Sequence, residues 1–240
     1  MNAPRYLLRK NIALRLVNDL PLGSVLEVGC GAGDFCKTLC EAGYSVTGVD
    51  FSPDAIQFCR DSYRELSAKG KLQFYQHDLD EIHGTYSAIF LFEVLEHIED
   101  DVGALTKIST LLPPGGHLLL SVPAHQSWFG PSDYHVGHFR RYDAGQLLQL
   151  LSQCGFTTEV LWSYGIPLAN LTEIIRNRIY ANEKHPRKEA ATKRSGVDRR
   201  IEAKFSFLLN DICMYPFYLL QWLFRKTDWG TGYIIRAVKT

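Results

Sequence analysis

Three acidic side chains, Glu27, Asp34 and Asp50, stand in and just after a short glycine-rich run, Val25-Leu-Glu-Val-Gly-Cys-Gly-Ala-Gly33. Glycines at 29, 31 and 33 let a backbone turn tightly and approach a ligand closely, because no Cβ intervenes. Asp50 follows Gly33 by 17 residues and closes an apolar stretch. A carboxylate there can accept both hydroxyls of a ribose. A dinucleotide fingerprint needs a third glycine at position 34, and Asp34 stands there instead. Pyrophosphate meeting a helix N-terminus would meet that carboxylate too, which is unfavourable. The pattern suits a ligand with a ribose, a cationic end and no phosphate.

A second group lies further on, in Glu93-Val-Leu-Glu96-His97. Its spacing puts Glu93, Glu96 and His97 on one side of a helical turn. Such a set can move a proton. The loop 123–142 adds His125, Trp128, Phe129, Asp133, Tyr134, His135, His138, Arg140, Arg141 and Tyr142, a composition suited to pocket lining. His138 is the preferred general base, since neutral imidazole takes a proton near pH 7, and Glu93 joins it as a catalytic candidate. Arg140 and Arg141 can hold an acceptor carboxylate or phosphate. His135 and Tyr142 complete the expected acceptor-binding set.

These groups need elements to position them. Residues 5–20 have helical spacing, stopped by Pro21 and Gly23. Apolar runs at 24–28, 44–49, 71–76, 86–92, 117–122 and 157–162 predict six strands. Helices are predicted over 34–42, 53–68, 100–112 and 143–154, each ended by Gly, Pro or both. The alternation predicts an α/β fold, a doubly wound Rossmann-like sheet of seven strands, with parallel strands covered by helices on both faces. After 164 the pattern changes. A helical insertion over 168–229 precedes a last strand at 231–239. The chain is read as a single domain, 1–240, whose ligand-binding core is 5–164.

The chain has 240 residues, with 26 Lys+Arg balancing 26 Asp+Glu. Zero net charge argues against a nucleic-acid partner. The six cysteines form no Cys-x-x-Cys pair, and the first ten residues lack a secretory pattern, so a cytoplasmic protein with reduced thiols is expected. Residues 181–204 carry eight Lys/Arg against four Asp/Glu. The aromatic segment 205–224 that follows has three readings: a lid or packed helix, a homodimer contact in a protein otherwise monomeric, or a peripheral membrane contact.

The run Glu27-Val-Gly-Cys-Gly-Ala-Gly33 resembles the first motif of class I S-adenosylmethionine-dependent methyltransferases. Asp50 matches that family's ribose-binding acid and His77-Asp78-Leu79 its adenine-contacting acidic position. Phe92-Glu93-Val-Leu-Glu96-His97 resembles the segment after the fourth strand, and Leu112-Pro-Pro-Gly-Gly116 the turn before the fifth. The resemblance covers roughly residues 5–164, in order. It implies S-adenosylmethionine as cofactor, bound by Arg9, Glu27, Gly29, Gly31, Gly33, Asp50, Phe51, Asp78, Leu79 and Phe92. It implies methyl transfer to an oxygen or nitrogen of a small-molecule acceptor of apolar, acidic or lipid-like character. The Glu-x-x-Glu-His spacing is similar to the metal-binding segment of ubiquinone-pathway O-methyltransferases and of small-RNA 2′-O-methyltransferases. In the latter a later histidine completes the site, and the resemblance implies His138 for that place, against which stands the preference of Mg²⁺ for oxygen over two imidazoles. A metal, RNA 2′-O-methylation and a non-catalytic binding module therefore stand as alternatives, the metal being the less favoured reading of the Glu-His segment.

Overall fold

The computed structural model of the protein describes residues 4–181 and 211–240. Seven strands form one sheet: β1 (Ser24–Val28), β2 (Ser45–Asp50), β3 (Leu72–Gln76), β4 (Ala88–Phe92), β5 (His117–Pro123), β6 (Phe156–Tyr164) and β7 (Gly232–Lys239). Their order is β3-β2-β1-β4-β5-β7-β6. The sheet reverses direction of growth beside β1 and β4, and the carboxyl ends of these strands frame the crevice where open α/β sheets bind ligands.

Nine helices accompany the strands among the described residues: α1 (Pro4–Val17), α2 (Asp34–Glu41), α3 (Pro53–Ser62), α4 (Arg64–Ala68), α5 (Asp101–Thr110), α6 (Pro131–Val136), α7 (Ala144–Gln153), α8 (Leu168–Tyr180) and α9 (Asp211–Phe224). Local chemistry explains their bounds. Ser52 caps α3 by accepting from Ala55 N at 3.3 Å, and Pro53 takes the first helical position. The helix predicted over 53–68 is two helices, broken at Tyr63, whose ring stacks on Phe74 beneath the glycine turn.

Every residue of β4 is buried, as a central strand covered on both faces requires. Alternate side chains feed two apolar layers. Leu26, Ile89, Leu91, Leu118 and Leu120 enter one, and Val25, Val46, Phe90, Phe92 and Leu119 the other. The expectation of parallel strands fails for β7, which runs antiparallel to both β5 and β6. The reason is where the chain returns. Tyr164 at the end of β6 pairs with Gly232 at the start of β7, so the insertion leaves and re-enters at one end of the sheet and β7 must run back.

Two helices of that insertion are described. Ala169 of α8 and Met214 of α9 bury against Leu8 of α1, so both helices sit on the first helix. The segment 182–210, with most of the basic stretch and the first part of 205–224, lies outside the described residues. Among the described residues, no helix is long and apolar enough to cross a membrane.

Candidate active site

The glycine turn follows β1 and is pinned beside β2. Cys30 N donates to Val49 O at 3.0 Å, and Gly29, Gly31 and Gly33 all have positive φ. At Gly29 a Cβ would stand 2.4 Å from Val94 Cγ2, and at Gly33 2.9 Å from both Cys59 Sγ and the Tyr63 ring. Conformation and space both demand glycine at these two positions. Asp50 closes β2, its carboxylate accepting from Gly31 N and Ser52 N at 2.9 Å each. It thus braces the turn, and each oxygen retains a lone pair for a ligand hydroxyl. Phe51, half-exposed, stands next to it, and Phe92 ends β4 against Phe35.

Glu27 is buried and accepts from Cys36 Sγ at 2.8 Å. Burial raises its pKa to about 7, against the lowering effects of the Cys36 hydrogen bond and of Arg9. A cation beside it would draw it into the charged form. Arg9 reaches in from α1, 5.6 Å over the Phe92 ring and 4.0 Å from Glu93 Oε1. Asp78 is exposed beyond β3, at the head of a short turn in which its N–H donates to Glu81 Oε2. Leu79 packs at the edge of the core. A turn that only glycine can make, an acid at the end of the second strand and a buried carboxyl poised near neutrality fit a ribose-bearing cationic cofactor.

The Glu-x-x-Glu-His segment divides. Glu93 sits in the left-handed region at φ 58°, a conformation a glutamate adopts only when its surroundings hold it. Its N–H donates to Ser121 O, and its carboxylate accepts from Tyr164 Oη at 2.6 Å and pairs with Arg5 Nη2 at 2.8 Å. Burial alone would raise its pKa, but Arg5, Arg9 and the Tyr164 hydroxyl override this and hold it down to about 2.

Glu96 and His97 meet His138. The potential ligand atoms of these three residues lie within 4.8 Å of one another. Glu96 is wholly buried, and neither carboxylate oxygen has a hydrogen-bond partner. Burial and the charge of Glu93 push its pKa well up. His97 is also desolvated, which lowers its pKa to about 3. Its ring hydrogen-bonds to the Gly137 backbone, while Nδ1 is buried without a partner. His138 Nδ1 donates to Asp133 Oδ1 at 2.8 Å, which leaves Nε2 bare and 3.8 Å from Glu96 Oε1. Burial outweighs Asp133 and keeps the His138 pKa low, so the ring is neutral. Bare imidazole nitrogens with their tautomers fixed by a second contact, beside an unpartnered carboxylate, form a donor set that fits a divalent ion.

The loop 123–142 is closed at its base, where His125 N donates to Tyr142 O and Tyr142 N donates to Pro123 O. Four of its residues have other partners than expected. Arg141 is only 2% exposed. It binds Asp133 through Nε at 2.9 Å and Glu173 through Nη2 at 2.5 Å, so its guanidinium is held in internal ion pairs. Arg140 pairs with Asp101, and buried Tyr142 donates to the same carboxylate at 3.0 Å. His135 stacks on Tyr180 with ring centres 3.8 Å apart. Sequence reasoning missed Arg5, Tyr164 and Glu173. The first was legible as a basic residue one turn before Arg9. Glu173 was legible as the one acid in an otherwise apolar and basic helix.

Sheet order, glycine turn and acid at the end of β2 together define a Rossmann-like methyltransferase. Comparison with known proteins agrees. The family model described as "Methyltransferase domain" matches residues 2–160, and the chain belongs to that family, among the class I S-adenosylmethionine-dependent methyltransferases. It is 31% identical over 118 residues to a ubiquinone biosynthesis O-methyltransferase of Vibrio parahaemolyticus, covering 48% of this chain and 49% of that protein. Over 104 residues it is 33% identical to one from Xanthomonas campestris pv. campestris, covering 42% of this chain and 44% of the other. The alignments thus span about half the length of these curated relatives. Among solved structures, a putative sarcosine dimethylglycine methyltransferase from Galdieria sulphuraria superposes with a TM-score of 0.61 at 13% identity, over 97% of this chain and 84% of that one. The N-methyltransferase NodS from Bradyrhizobium japonicum WM9, solved with S-adenosylhomocysteine, gives 0.56 at 22% identity over 68% and 80%. A [4+2]-cyclase gives 0.62 at 18% over 99% and 84%. Structural likeness at such identities establishes the fold, and function must be argued from the site.

Proposed function

We propose that this chain methylates a hydroxyl oxygen of a small molecule, and that Glu96, His97 and His138 hold a divalent ion beside the acceptor. The observation that carries this reading is the Glu96 carboxylate, fully buried with both oxygens unpartnered. Leaving such a group without a partner is costly, and a cation shared with two imidazoles offsets that cost. One carboxylate and two imidazoles suit Zn²⁺ or Mn²⁺ better than Mg²⁺. The orphaned oxygens support a metal, although two imidazoles weighed against one in the sequence.

When bound, S-adenosylmethionine supplies an electrophilic methyl group, and the ion supplies Lewis acidity that favours an ionised acceptor hydroxyl. The chain's own residues position and polarise. Asp50 would accept the ribose hydroxyls, and Arg9 would hold the carboxylate end of the cofactor. Asp133 holds His138 in the tautomer whose Nε2 faces Glu96. Methyl transfer is an in-line displacement, so holding the two reactants close and aligned is the main task.

Ubiquinone precursors are the first acceptors to try, because the curated relatives carry that name. The test incubates the full chain and S-adenosylmethionine with such hydroxylated precursors and, separately, with short RNA, each with and without chelator. The expected result is O-methylation of a small molecule, lost on chelation and restored by Zn²⁺ or Mn²⁺. Full activity in chelator would remove the metal from this reading. Turnover confined to RNA would replace the acceptor class.

A further inference from the structure

Two functional groups that lie on different elements converge on one carboxylate of α8. Glu173 Oε1 accepts from Arg141 Nη2 at 2.5 Å and from Ser132 Oγ at 2.6 Å. Arg141 in turn grips Asp133 through Nε at 2.9 Å and Nη2 at 2.7 Å, and Asp133 holds His138 Nδ1. On the other side Glu173 Oε2 lies 3.9 Å from Arg5 Nη1, and Arg5 Nη2 lies 2.8 Å from Glu93 Oε2. Charges alternate in sign from Asp133, which holds the neutral His138 ring, through Arg141, Glu173 and Arg5 to Glu93, and most of the chain is out of water. A buried alternating chain is rigid, because moving one member strands its neighbours.

We infer that Glu173 is a positioning residue that sets the placement of both His138 and Glu93, which makes α8 part of the active site. The inference rests on the role proposed above for the Glu96–His97–His138 cluster. Glu173 touches neither the cluster nor Glu93. It fixes Arg141, which aims Asp133, which selects the His138 tautomer. It also limits where Arg5 can carry Glu93, whose backbone is strained at φ 58°. The first helix after the sheet's sixth strand is therefore tied to the chemistry and is more than a cover over the acceptor.

The experiment compares the full-length protein with Glu173→Gln and Glu173→Asp, using ¹⁵N-histidine NMR and calorimetric titration of Zn²⁺ and of S-adenosylhomocysteine. Glu173→Gln should shift or broaden the His138 ring signals and weaken Zn²⁺ binding by about 10-fold, the low end of the range for direct partners of metal ligands, because Glu173 acts through Arg141 and Asp133. S-adenosylhomocysteine affinity should stay within about twofold, and kcat should fall with little change in KM for the cofactor. Glu173→Asp, which keeps the charge, should recover part of each loss. His138 signals and Zn²⁺ affinity unchanged in Glu173→Gln would overturn the inference. Should Glu173→Gln lose cofactor binding as well, the same comparison in Glu173→Asp decides. A wild-type chain that binds no Zn²⁺ overturns the metal reading alone, because the His138 signals still report on the coupling.

Discussion

His138 Nδ1 lies 2.8 Å from Asp133 Oδ1, and both side chains are nearly or fully buried. Asp133 accepts only, since the His138 and Arg141 hydrogen bonds overcome its desolvation and hold its pKa at about 2. The proton therefore sits on Nδ1, and Nε2 presents a lone pair toward Glu96. This contact turns a loop histidine into a directed ligand or base.

His138→Ala should lower kcat by about 100-fold, the low end for loss of a positioned acid-base or ligand group. Affinity for S-adenosylhomocysteine should stay within a factor of two, because none of the residues bracing the glycine turn touches His138. Steady-state kinetics with calorimetry checks both, and equal loss of cofactor affinity would show that the two sites are not separable.

Asp50→Ala should do the reverse. It removes the acceptor for Gly31 N and Ser52 N as well as the ribose contacts proposed above. Hydrogen bonds to a charged group are worth about 1.5–3 kcal/mol each, so cofactor affinity should fall at least 10-fold and the melting temperature should also drop. Calorimetry and a thermal melt read the two effects.

Glu96→Met should separate stability from function. The metal-free protein keeps a buried carboxyl without partners, and an unbranched apolar side chain removes that cost. The variant should melt higher than wild type in chelator and lose all stabilisation by Zn²⁺. A lower melting temperature in chelator would mean that Glu96 has partners in solution.

Glu27 predicts a pH dependence. Its pKa is about 7 in the folded chain against an ordinary 4.5, so the folded state keeps a proton that the unfolded state gives up. The sign follows: this contribution is complete below about 4.5 and is lost as pH rises to about 7. The loss amounts to about 3 kcal/mol at most. Glu27→Gln cannot ionise and should match wild type near pH 4.5 and melt higher at pH 8. Identical melting curves at pH 8 would contradict it.

Arg141→Met breaks a buried ion pair and leaves Glu173 without its strongest partner. Such a break costs about 3–5 kcal/mol, or roughly 10 °C for a chain of this length. A surface clamp for an acceptor would instead lose activity without losing stability.

Sequence alone determined the class of fold and the glycine turn with the acid that braces it. Apolar runs of strand length punctuated by Gly and Pro, three glycines in a turn and an acid after the second strand are local signals, each read within a few residues. Tertiary structure decided the rest. Glu93 and Glu96 share a helical face by spacing, yet positive φ at Glu93 sends one to Arg5 and Tyr164 and the other to His138. Arg141 and Tyr142 read as pocket lining, and only the return of the loop onto α5 and α8 shows that Glu173 and Asp101 hold them. β7 runs antiparallel because the insertion re-enters where it left, which no run of residues announces. The partner of a charged side chain is chosen by elements that are distant in the chain, and local sequence carries the charge but not its partner.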